Sequence, residues 1–446
     1  MESHPKCADA DLPEFTFLNV TAKPKGWNDE SLELLWRYNL HYFDYINKPV
    51  DECGGEGEMC ISMLERWIDD NPRGSFPGWD PYPTSLRIVN WVKYLQTSSA
   101  SLDICVKQKI KESLKEQAQY LCSHLEFHLL ANHLLANAKA LVFAGKYLDR
   151  RDLYEKGMSI YRKQLAEQIC DDGVNFERSP MYHAIIFEDM LDLAEYTDEG
   201  LFKEYSAKMC VGMRLLTGPD GMIAKFNDSA EGIAKQPAVL LARAEKFGYA
   251  KMVSGSGSGF LRQECGNYVL LAKSGEIGPS YQPGHAHADT FSFELWESGK
   301  KIIGDTGCST YIPGAIRSYE RSTKAHNTVV IDGRDSSEVW ASHRVGRRFD
   351  KKSHRREFEL TESGLTGVDS FGGIGEHDIE VRFHLPPGVS KNEMIIECPG
   401  ELKWEECEFA EGWNIRKTGL CAVYSQRMSF PATIEWRIRK ASTSKL

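Results

Sequence analysis

The sequence predicts an α+β protein of two domains, in which an all-helical half precedes an all-β half. Helical periodicity runs from Asn28 to about Gly248, whereas short segments of alternating polarity follow Phe260. A Gly/Ser-rich run separates the two patterns. We therefore predict a helical domain over residues 1–252, a linker over 253–259 and a β domain over 260–446, most simply an antiparallel β-sandwich.

The helical half contains a succession of helices of similar length. The first, Asp29 to Tyr45, is apolar on nearly all sides and should be buried. Residues 74–83 contain three prolines and should form a rigid, aromatic-rich loop. Further helices are predicted at 59–69, 85–96, 102–130 with an interruption near Cys105, 134–148, 153–170, 183–196, 201–216 and 237–247. Successive helical hairpins favour a toroid or a solenoid of paired helices.

The β half consists of short strands separated by turn residues. We predict strands at 268–272, 291–296, 300–303, 328–331, 356–360, 379–384, 394–398 and 433–437. Ser298-Gly299 should join the second and third of them as a hairpin, and Asp332-Gly333 is a second turn signal.

Composition excludes several classes of protein. A net charge of −10 argues against general nucleic-acid binding, and no run of about 20 apolar residues predicts a membrane span. Twelve cysteines without a CxxC pair indicate neither a disulfide framework nor a zinc ribbon. The N-terminus lacks the features of a signal peptide, so we expect a cytoplasmic protein, or a periplasmic or secreted one if the natural chain is longer.

The histidine-containing stretch from Gly284 to Asp289 is the strongest candidate site. In extended backbone, His285 and His287 point to the same side. The hairpin that follows brings Asp305 close to His287, and His326 precedes another strand. Two imidazoles and a carboxylate are a plausible zinc set, with one histidine left for other chemistry. Thirteen histidines also produce some such pairs by chance.

Five separated motifs, in this order, resemble those of the heparinase II/III-like polysaccharide lyases. They are YNLHYFD at 38–44, NHLLAN at 132–137, SPMYH at 179–183, the segment 285–295, and RSTKAHNT at 321–328. The resemblance implies an incomplete (α/α) toroid followed by an antiparallel β-sandwich. It also implies β-elimination at a uronic acid residue, which gives an unsaturated uronate product.

The chemistry of that reaction sets requirements that the resembling residues meet. Removing the C5 proton of a uronate places charge beside an anionic carboxylate, which must be neutralised or hydrogen-bonded. The resemblance implies that Asn132, helped by His133, does this. Tyr182 and His285 match the base and acid positions, and which is which stays open. Since they come from the two predicted domains, we expect the active site between these domains.

The resemblance also implies a ligand set and a partner. His287, Asp305 and His326 would bind one structural Zn²⁺ per chain, and the partner would be an anionic, uronic-acid-containing glycan. The segment from Arg317 to Arg356 holds eleven basic against five acidic residues. Candidates for holding substrate carboxylates or sulfates are Arg317, Tyr319, Arg321 and Lys324. Candidates for stacking on sugar rings are His41, Trp79 and Tyr82.

Simpler roles and other functions remain open at this point. Asn132 is also suited to cap the following helix, and Tyr182 to fill a buried position. A glycoside hydrolase on an (α/α) toroid would need two paired carboxylates, and Asp80, Glu177 and Asp189 form no recognisable pair. A non-catalytic glycan-binding protein is the third possibility. The sequence leaves open the uronate, its linkage and sulfation, the endolytic or exolytic mode and the oligomeric state.

Overall fold

The computed structural model describes residues 12–47, 57–98, 102–246, 257–348 and 354–441. The chain divides into two compact units, Met1–Leu165 and Ala166–Leu446. Of the predicted linker, residues 257–259 are described and 253–256 lie outside the described residues. The proposed boundary between helical and β domains at residue 252 stays a prediction.

The first unit is mainly helical. It begins with a short hairpin of β1 (Phe15–Phe17) and β2 (Val20–Ala22). Its helices are α1 (Leu34–Tyr42), a 3₁₀ turn (Asp44–Asn47), α2 (Gly57–Asp70), α3 (Pro81–Ser98), α4 (Ile104–Ser123), α5 (Ala131–Tyr147) and α6 (Arg151–Gln168), the last of which ends in the second unit.

Two helix boundaries differ from prediction for local reasons. Helix α1 starts later than predicted because the Asp29 carboxylate accepts hydrogen bonds from the backbone N–H groups of Lys25 and Ser31, which stabilises a turn. Helix α3 starts at Pro81, earlier than predicted. A proline in the first helical turn costs nothing, since its missing N–H would have no partner within the helix.

Tryptophan and arginine form the centre of the first unit. Trp36, Trp67 and Trp91 are fully buried. The buried Arg87 guanidinium lies 3.8 Å from the ring centre of Trp67 and donates to Gln117 Oε1 at 2.8 Å. A charge inside this aromatic core is tolerated because its donors find oxygen partners.

The second unit contains the remaining helices and three sheets. Its helices are α7 (Pro180–Thr197), α8 (Gly200–Leu215), α9 (Pro237–Glu245) and α10 (Ala315–Arg321). Its strands are β3 (Phe260–Cys265), β4 (Tyr268–Lys273), β5 (Phe293–Glu297), β6 (Lys300–Ile303), β7 (Val329–Ile331), β8 (Ser337–Trp340), β9 (Arg344–Arg348), β10 (His354–Thr361), β11 (Gly364–Leu385), β12 (Met394–Glu397), β13 (Leu402–Gly412) and β14 (Ile415–Lys440).

Two antiparallel sheets share one apolar core. One has the strand order β3-β4-β5-β6; the other has the order β10-β11-β14-β12, with β13 also paired to β14 and β7 to β11. Residues of both sheets meet in a single buried cluster, for example where the rings of Phe293 and Trp436 stack at 5.4 Å. Strands β8 and β9 form a separate pair.

The hairpin predicted at Ser298-Gly299 is confirmed. Both residues have positive φ, as the tightest hairpin turns require, and Glu297 pairs with Lys300 across them. The turn brings Asp305 back to Ser292, with 3.4 Å between the Ser292 hydroxyl and the Asp305 carboxylate. No helix among the described residues is long and apolar enough to cross a bilayer.

Candidate active site

Asn132 and His133 lie in the first turn of helix α5, in the first unit. The cap of this helix is Leu130, without a side-chain hydrogen bond, so the capping role considered for Asn132 is wrong. Asn132 is 7% exposed, and its amide has no hydrogen-bond partner among the described residues. His133 Nδ1 lies 2.9 Å from Glu126 Oε1, and its ring packs on Tyr82 with 4.6 Å between centroids.

The backbone that leads into this turn is strained. Leu130 has φ 56° and ψ −148°, and Ala131 has φ 47°. Non-glycine residues rarely adopt such angles, and each costs on the order of 1–3 kcal/mol. The surrounding structure must compensate for this cost, and the strained residues lie directly before Asn132.

Tyr182 is positioned by the start of helix α7 in the second unit. Ser179 is the cap of this helix, and its Oγ accepts the backbone N–H of Tyr182 at 3.2 Å. Pro180 follows in the first helical turn, where proline is favoured. The Tyr182 ring is 8% exposed, and its hydroxyl lies 3.1 Å from that of Tyr311.

His285 stacks directly on Tyr182. The ring centroids are 3.9 Å apart, with an angle of 27° between the planes. His285 lies in the loop between β4 and β5, so a helical segment and a loop of the β region contribute one residue each, and both belong to the second unit. Two groups able to transfer protons are therefore neighbours.

Asp228 fixes the orientation of the His285 ring. Its Oδ2 lies 2.9 Å from His285 Nδ1, and its Oδ1 lies 2.9 Å from His287 Nε2. Burial by itself would raise the pKa of Asp228, but Arg317 and the two imidazoles outweigh it and hold the pKa well below its usual range. An ionised carboxylate only accepts, so His285 donates through Nδ1, and its Nε2 carries a lone pair when the ring is neutral.

His287 and His326 are arranged as metal ligands would be. Both rings are fully buried, with 5.3 Å between their centroids. His287 Nδ1 and His326 Nε2 have no hydrogen-bond partner among the described residues. The other nitrogen of each ring meets a carboxylate, Asp228 for His287 and Asp305, at 2.8 Å, for His326.

This pattern fits a bound metal ion, because ligating histidines usually give their second nitrogen to a carboxylate. Burial lowers the pKa of His287 to about 4, so the ring is neutral near pH 7 and Nδ1 keeps its lone pair. Asp305 hydrogen-bonds His326 Nδ1 in this geometry. Its predicted role as a direct ligand stays a prediction.

A second group of residues could also hold a metal ion. Asp228, His285 and His343 each offer one ligand atom, and these three atoms lie within 4.8 Å of one another. However, the Arg317 guanidinium forms an ion pair with both Asp228 oxygens. The positive charge of this guanidinium would repel a divalent cation at that position.

Two of the three predicted sugar-stacking residues are buried, so this role is wrong for them. His41 is fully buried: its ring accepts the Trp67 indole N–H at 2.9 Å and donates to the Trp27 carbonyl. Trp79 is 3% exposed, and its indole donates to the Asn71 carbonyl. Neither face can meet a sugar. Tyr82 is partly exposed beside His133, and its role stays a prediction.

The residues predicted to hold substrate carboxylates or sulfates also differ in burial. Arg317 is committed to Asp228 and to the Ser342 carbonyl, and Arg321 donates to backbone carbonyls, including that of Ala286. Both are buried, so direct substrate binding by them is wrong. Tyr319 is partly exposed and Lys324 exposed, and their roles stay predictions.

Three residues near Tyr182 and His285 were missed from the sequence: Asp228, Tyr311 and His343. Asp228 lies 57 residues before His285, and no spacing rule links the two. The only signal was the His285–His287 pair itself, because a metal-ligating or catalytic histidine commonly needs a carboxylate for its second nitrogen.

Known proteins resemble this chain over most of its length. Residues 56–242 match the family described as heparinase II/III N-terminus, and residues 239–353 match heparinase II/III-like, C-terminal. A heparin-sulfate lyase of Bacteroides thetaiotaomicron is 23% identical, over 96% of this chain and 72% of its own length. The enzyme of that name from Pedobacter heparinus is 24% identical, over 62% and 48% respectively.

Solved structures show the same fold. A crystal structure of heparinase III has a TM-score of 0.73 at 18% identity, covering 95% of this chain and 80% of that one. The heparan sulfate lyase of Pedobacter heparinus has a TM-score of 0.63 at 17% identity, covering 94% and 79%. The predicted fold class, an incomplete (α/α) toroid followed by an antiparallel β-sandwich, is confirmed. Since the two family matches together span residues 56–353, the chain belongs to the heparinase II/III-like family and is a polysaccharide lyase.

Proposed function

We propose that this lyase acts on a sulfated, uronic-acid-containing glycan of the heparan sulfate type, with His285 as the base and Tyr182 as the acid. The names of its relatives support the substrate class. The observation that carries the roles is the stacked Tyr182–His285 pair, with His285 Nδ1 held by Asp228.

The base takes the C5 proton of the uronate. His285 suits this role because its Nδ1–H is directed to the Asp228 carboxylate, which leaves Nε2 as the acceptor. The developing imidazolium then lies beside an ionised carboxylate, which stabilises it.

The acid protonates the glycosidic oxygen as it leaves C4. A tyrosine phenol is ordinarily a proton donor and needs no neighbouring cation to act as one, so Tyr182 suits this role. The Tyr311 hydroxyl, 3.1 Å away, orients the phenol. The C4–O bond breaks as the C4–C5 double bond forms, so water does not enter the product.

The substrate carboxylate must be stabilised while C5 loses its proton. The amide of Asn132 has no partner among the described residues and can donate to that carboxylate. His133 is fixed through Nδ1 by Glu126, which leaves Nε2 for a second contact. These roles follow from the family resemblance and from the unpartnered amide.

One zinc ion would be held by His287 and His326, with Asp305 as a third ligand or as the carboxylate that orients His326. It would supply structural cross-linking between the loop before β5 and the segment before β7. The proton transfers are left to Tyr182 and His285.

The reaction type is tested by the products from heparan sulfate, chondroitin sulfate and a polyuronate. We expect an ultraviolet-absorbing C4–C5 double bond, with heparan sulfate the best substrate. In ¹⁸O-labelled water the new reducing end should carry no label. Label there would indicate hydrolysis, as expected of the glycoside hydrolase alternative, and would reject β-elimination.

The two roles are tested by variants with a matched control. Tyr182→Phe and His285→Gln should each lower kcat by about 10²–10⁴-fold. Tyr161→Phe, which removes a buried hydroxyl bonded to the Leu135 carbonyl, should leave kcat unchanged.

A substrate with an activated leaving group at C4 distinguishes acid from base. Such a leaving group needs no protonation, so it should restore much of the rate of Tyr182→Phe. The rate of His285→Gln should stay low. The opposite pattern would exchange the two roles.

A further inference from the structure

Asp228 occupies the point where three parts of the second unit meet. It lies between helices α8 and α9 and is fully buried. Its backbone N–H donates to the His285 carbonyl at 3.1 Å, and its own carbonyl accepts the Ser179 hydroxyl at 2.6 Å. The main chain of Asp228 is thereby tied to the cap of the Tyr182 helix and to the His285 loop.

Its side chain is fully occupied by donors. Oδ1 accepts from His287 Nε2 and Arg317 Nη1, and Oδ2 accepts from His285 Nδ1 and Arg317 Nη2. A carboxylate has about four acceptor positions, and all four are used here. Both imidazoles must therefore carry a hydrogen on the nitrogen that faces Asp228.

This constraint determines the role of the second ring nitrogen in His285 and in His287. His285 Nε2 is left as a proton acceptor beside Tyr182, and His287 Nδ1 is left as a lone pair beside His326. The buried Arg317 balances the charge of Asp228 and is itself held by the Ser342 carbonyl. The carboxylate can thus stay ionised without exposure to water.

We propose that Asp228 is a positioning residue with two simultaneous tasks: it fixes the tautomer of His285 for proton transfer and that of His287 for metal binding. The geometry joins the metal site and the catalytic histidine through one carboxylate. The first task rests on the proposed function, because it takes His285 as the base.

Asp228→Asn is the decisive change. The amide has nearly the same shape, but its nitrogen donates, so it opposes at least one of the four donors that now point at the carboxylate. One imidazole must then adopt the other tautomer or turn away. We expect kcat to fall by about 10²–10⁴-fold with little change in KM, and metal affinity to fall by about 10–100-fold.

Asp369→Asn is the matched control, because its surroundings are nearly the same. The buried Asp369 also accepts from an arginine fork, Arg356 at 2.7 and 2.8 Å, and from a histidine, His354 at 2.7 Å. It touches neither His285 nor His287. Comparable loss of stability is expected in both variants, but only Asp228→Asn should lose turnover per folded molecule.

A second readout reports the tautomers without activity. In protein labelled with ¹⁵N-histidine, the imidazole nitrogen signals distinguish the Nδ1–H from the Nε2–H tautomer, and His285→Gln and His287→Gln assign them. The wild type should show Nδ1–H for His285 and Nε2–H for His287. Asp228→Asn should change at least one of these signals, and Asp369→Asn neither.

The outcomes separate this inference from the proposed function. Full lyase activity in His285→Gln would reject the role of His285 itself. If His285→Gln is inactive while Asp228→Asn matches Asp369→Asn in kcat, metal content and tautomers, the role of Asp228 is rejected. A wild type that binds no metal would reject the second task.

Discussion

Acid should destabilise the protein through His41, whose ring is fully buried between Trp27 and Trp67. Burial is the main cause that lowers its pKa to about 3, against about 6.5 in an unfolded chain. Because the folded pKa is the lower one, the stability contributed by the neutral ring is complete above about pH 6.5. It is lost as the pH falls towards 3.

The magnitude follows from the difference between the two pKa values. At pH 5, about 1.5 pH units below the unfolded pKa, protonation favours the unfolded state by about 2 kcal/mol. His41→Gln keeps one donor and one acceptor but cannot titrate. The loss of unfolding free energy between pH 7 and pH 5 should therefore be about 2 kcal/mol smaller in this variant than in the wild type.

Urea unfolding followed by tryptophan fluorescence measures this difference, since Trp67 donates to His41 directly. His377→Gln serves as a control for the direction of the change in acid stability. Its ring is partly exposed and hydrogen-bonded to Asp332, which raises its pKa, so its removal should make the loss in acid larger rather than smaller. Equal acid losses in wild type and His41→Gln would refute the reasoning.

Three further predictions concern other contacts. Arg321→Glu should lower the unfolding free energy by about 3 kcal/mol or more, because the buried Ala286 carbonyl and the part-buried Trp340 and Arg344 carbonyls lose their donor. The exposed Lys324→Glu should instead raise KM for an anionic substrate without changing denaturation. The reverse pattern would restore Arg321 as a substrate ligand. Chelation with EDTA should lower the Tm of the wild type. His287→Ala should lower Tm by itself and make it insensitive to EDTA. A wild-type Tm that EDTA does not change would exclude a structural metal. Gly173→Ala places a Cβ 1.9 Å from a carbonyl oxygen of helix α8, so it should lower the unfolding free energy in urea by about 2 kcal/mol or more. Gly221→Ala is the control and should cost about 1 kcal/mol, because φ is also +80° there but nothing lies within 4 Å. Equal costs in the two variants would exclude the clash.

Local sequence patterns predicted most helices and the short strands β4 to β7, β10 and β12, but they missed β1, β2, β3, β8, β9 and β13. The interruption predicted near Cys105 is wrong, because helix α4 is continuous from Ile104 to Ser123. Lys300–Ile303 matches its prediction, and most helix ends differ by a few residues. The two longest strands, Gly364–Leu385 and Ile415–Lys440, were predicted only as short internal segments. Gly372 and Gly373 and the register shift between Phe371 and Gly375 interrupt the alternation that marks a strand.

Some residues of the candidate site could be predicted from sequence motifs, and others could not. Tyr182 and His285 were identified by motif, and the structure brings their rings together. The local excess of basic residues did not predict the role of Arg317, because a sequence does not show whether an arginine faces solvent or neutralises a buried carboxylate. Asp228 was missed because its contacts join segments distant in sequence, which only the folded chain reveals.

The strained turn before helix α5 bears on how this enzyme can be engineered. Glycine at position 130 or 131 would adopt the observed φ without steric cost, so a design guided by folding stability alone would choose it. The same change would also loosen the backbone directly before Asn132, whose proposed role needs a fixed amide at the start of the helix. Thermostability and turnover should therefore move in opposite directions at these two positions, and stabilising substitutions are better sought elsewhere in the chain.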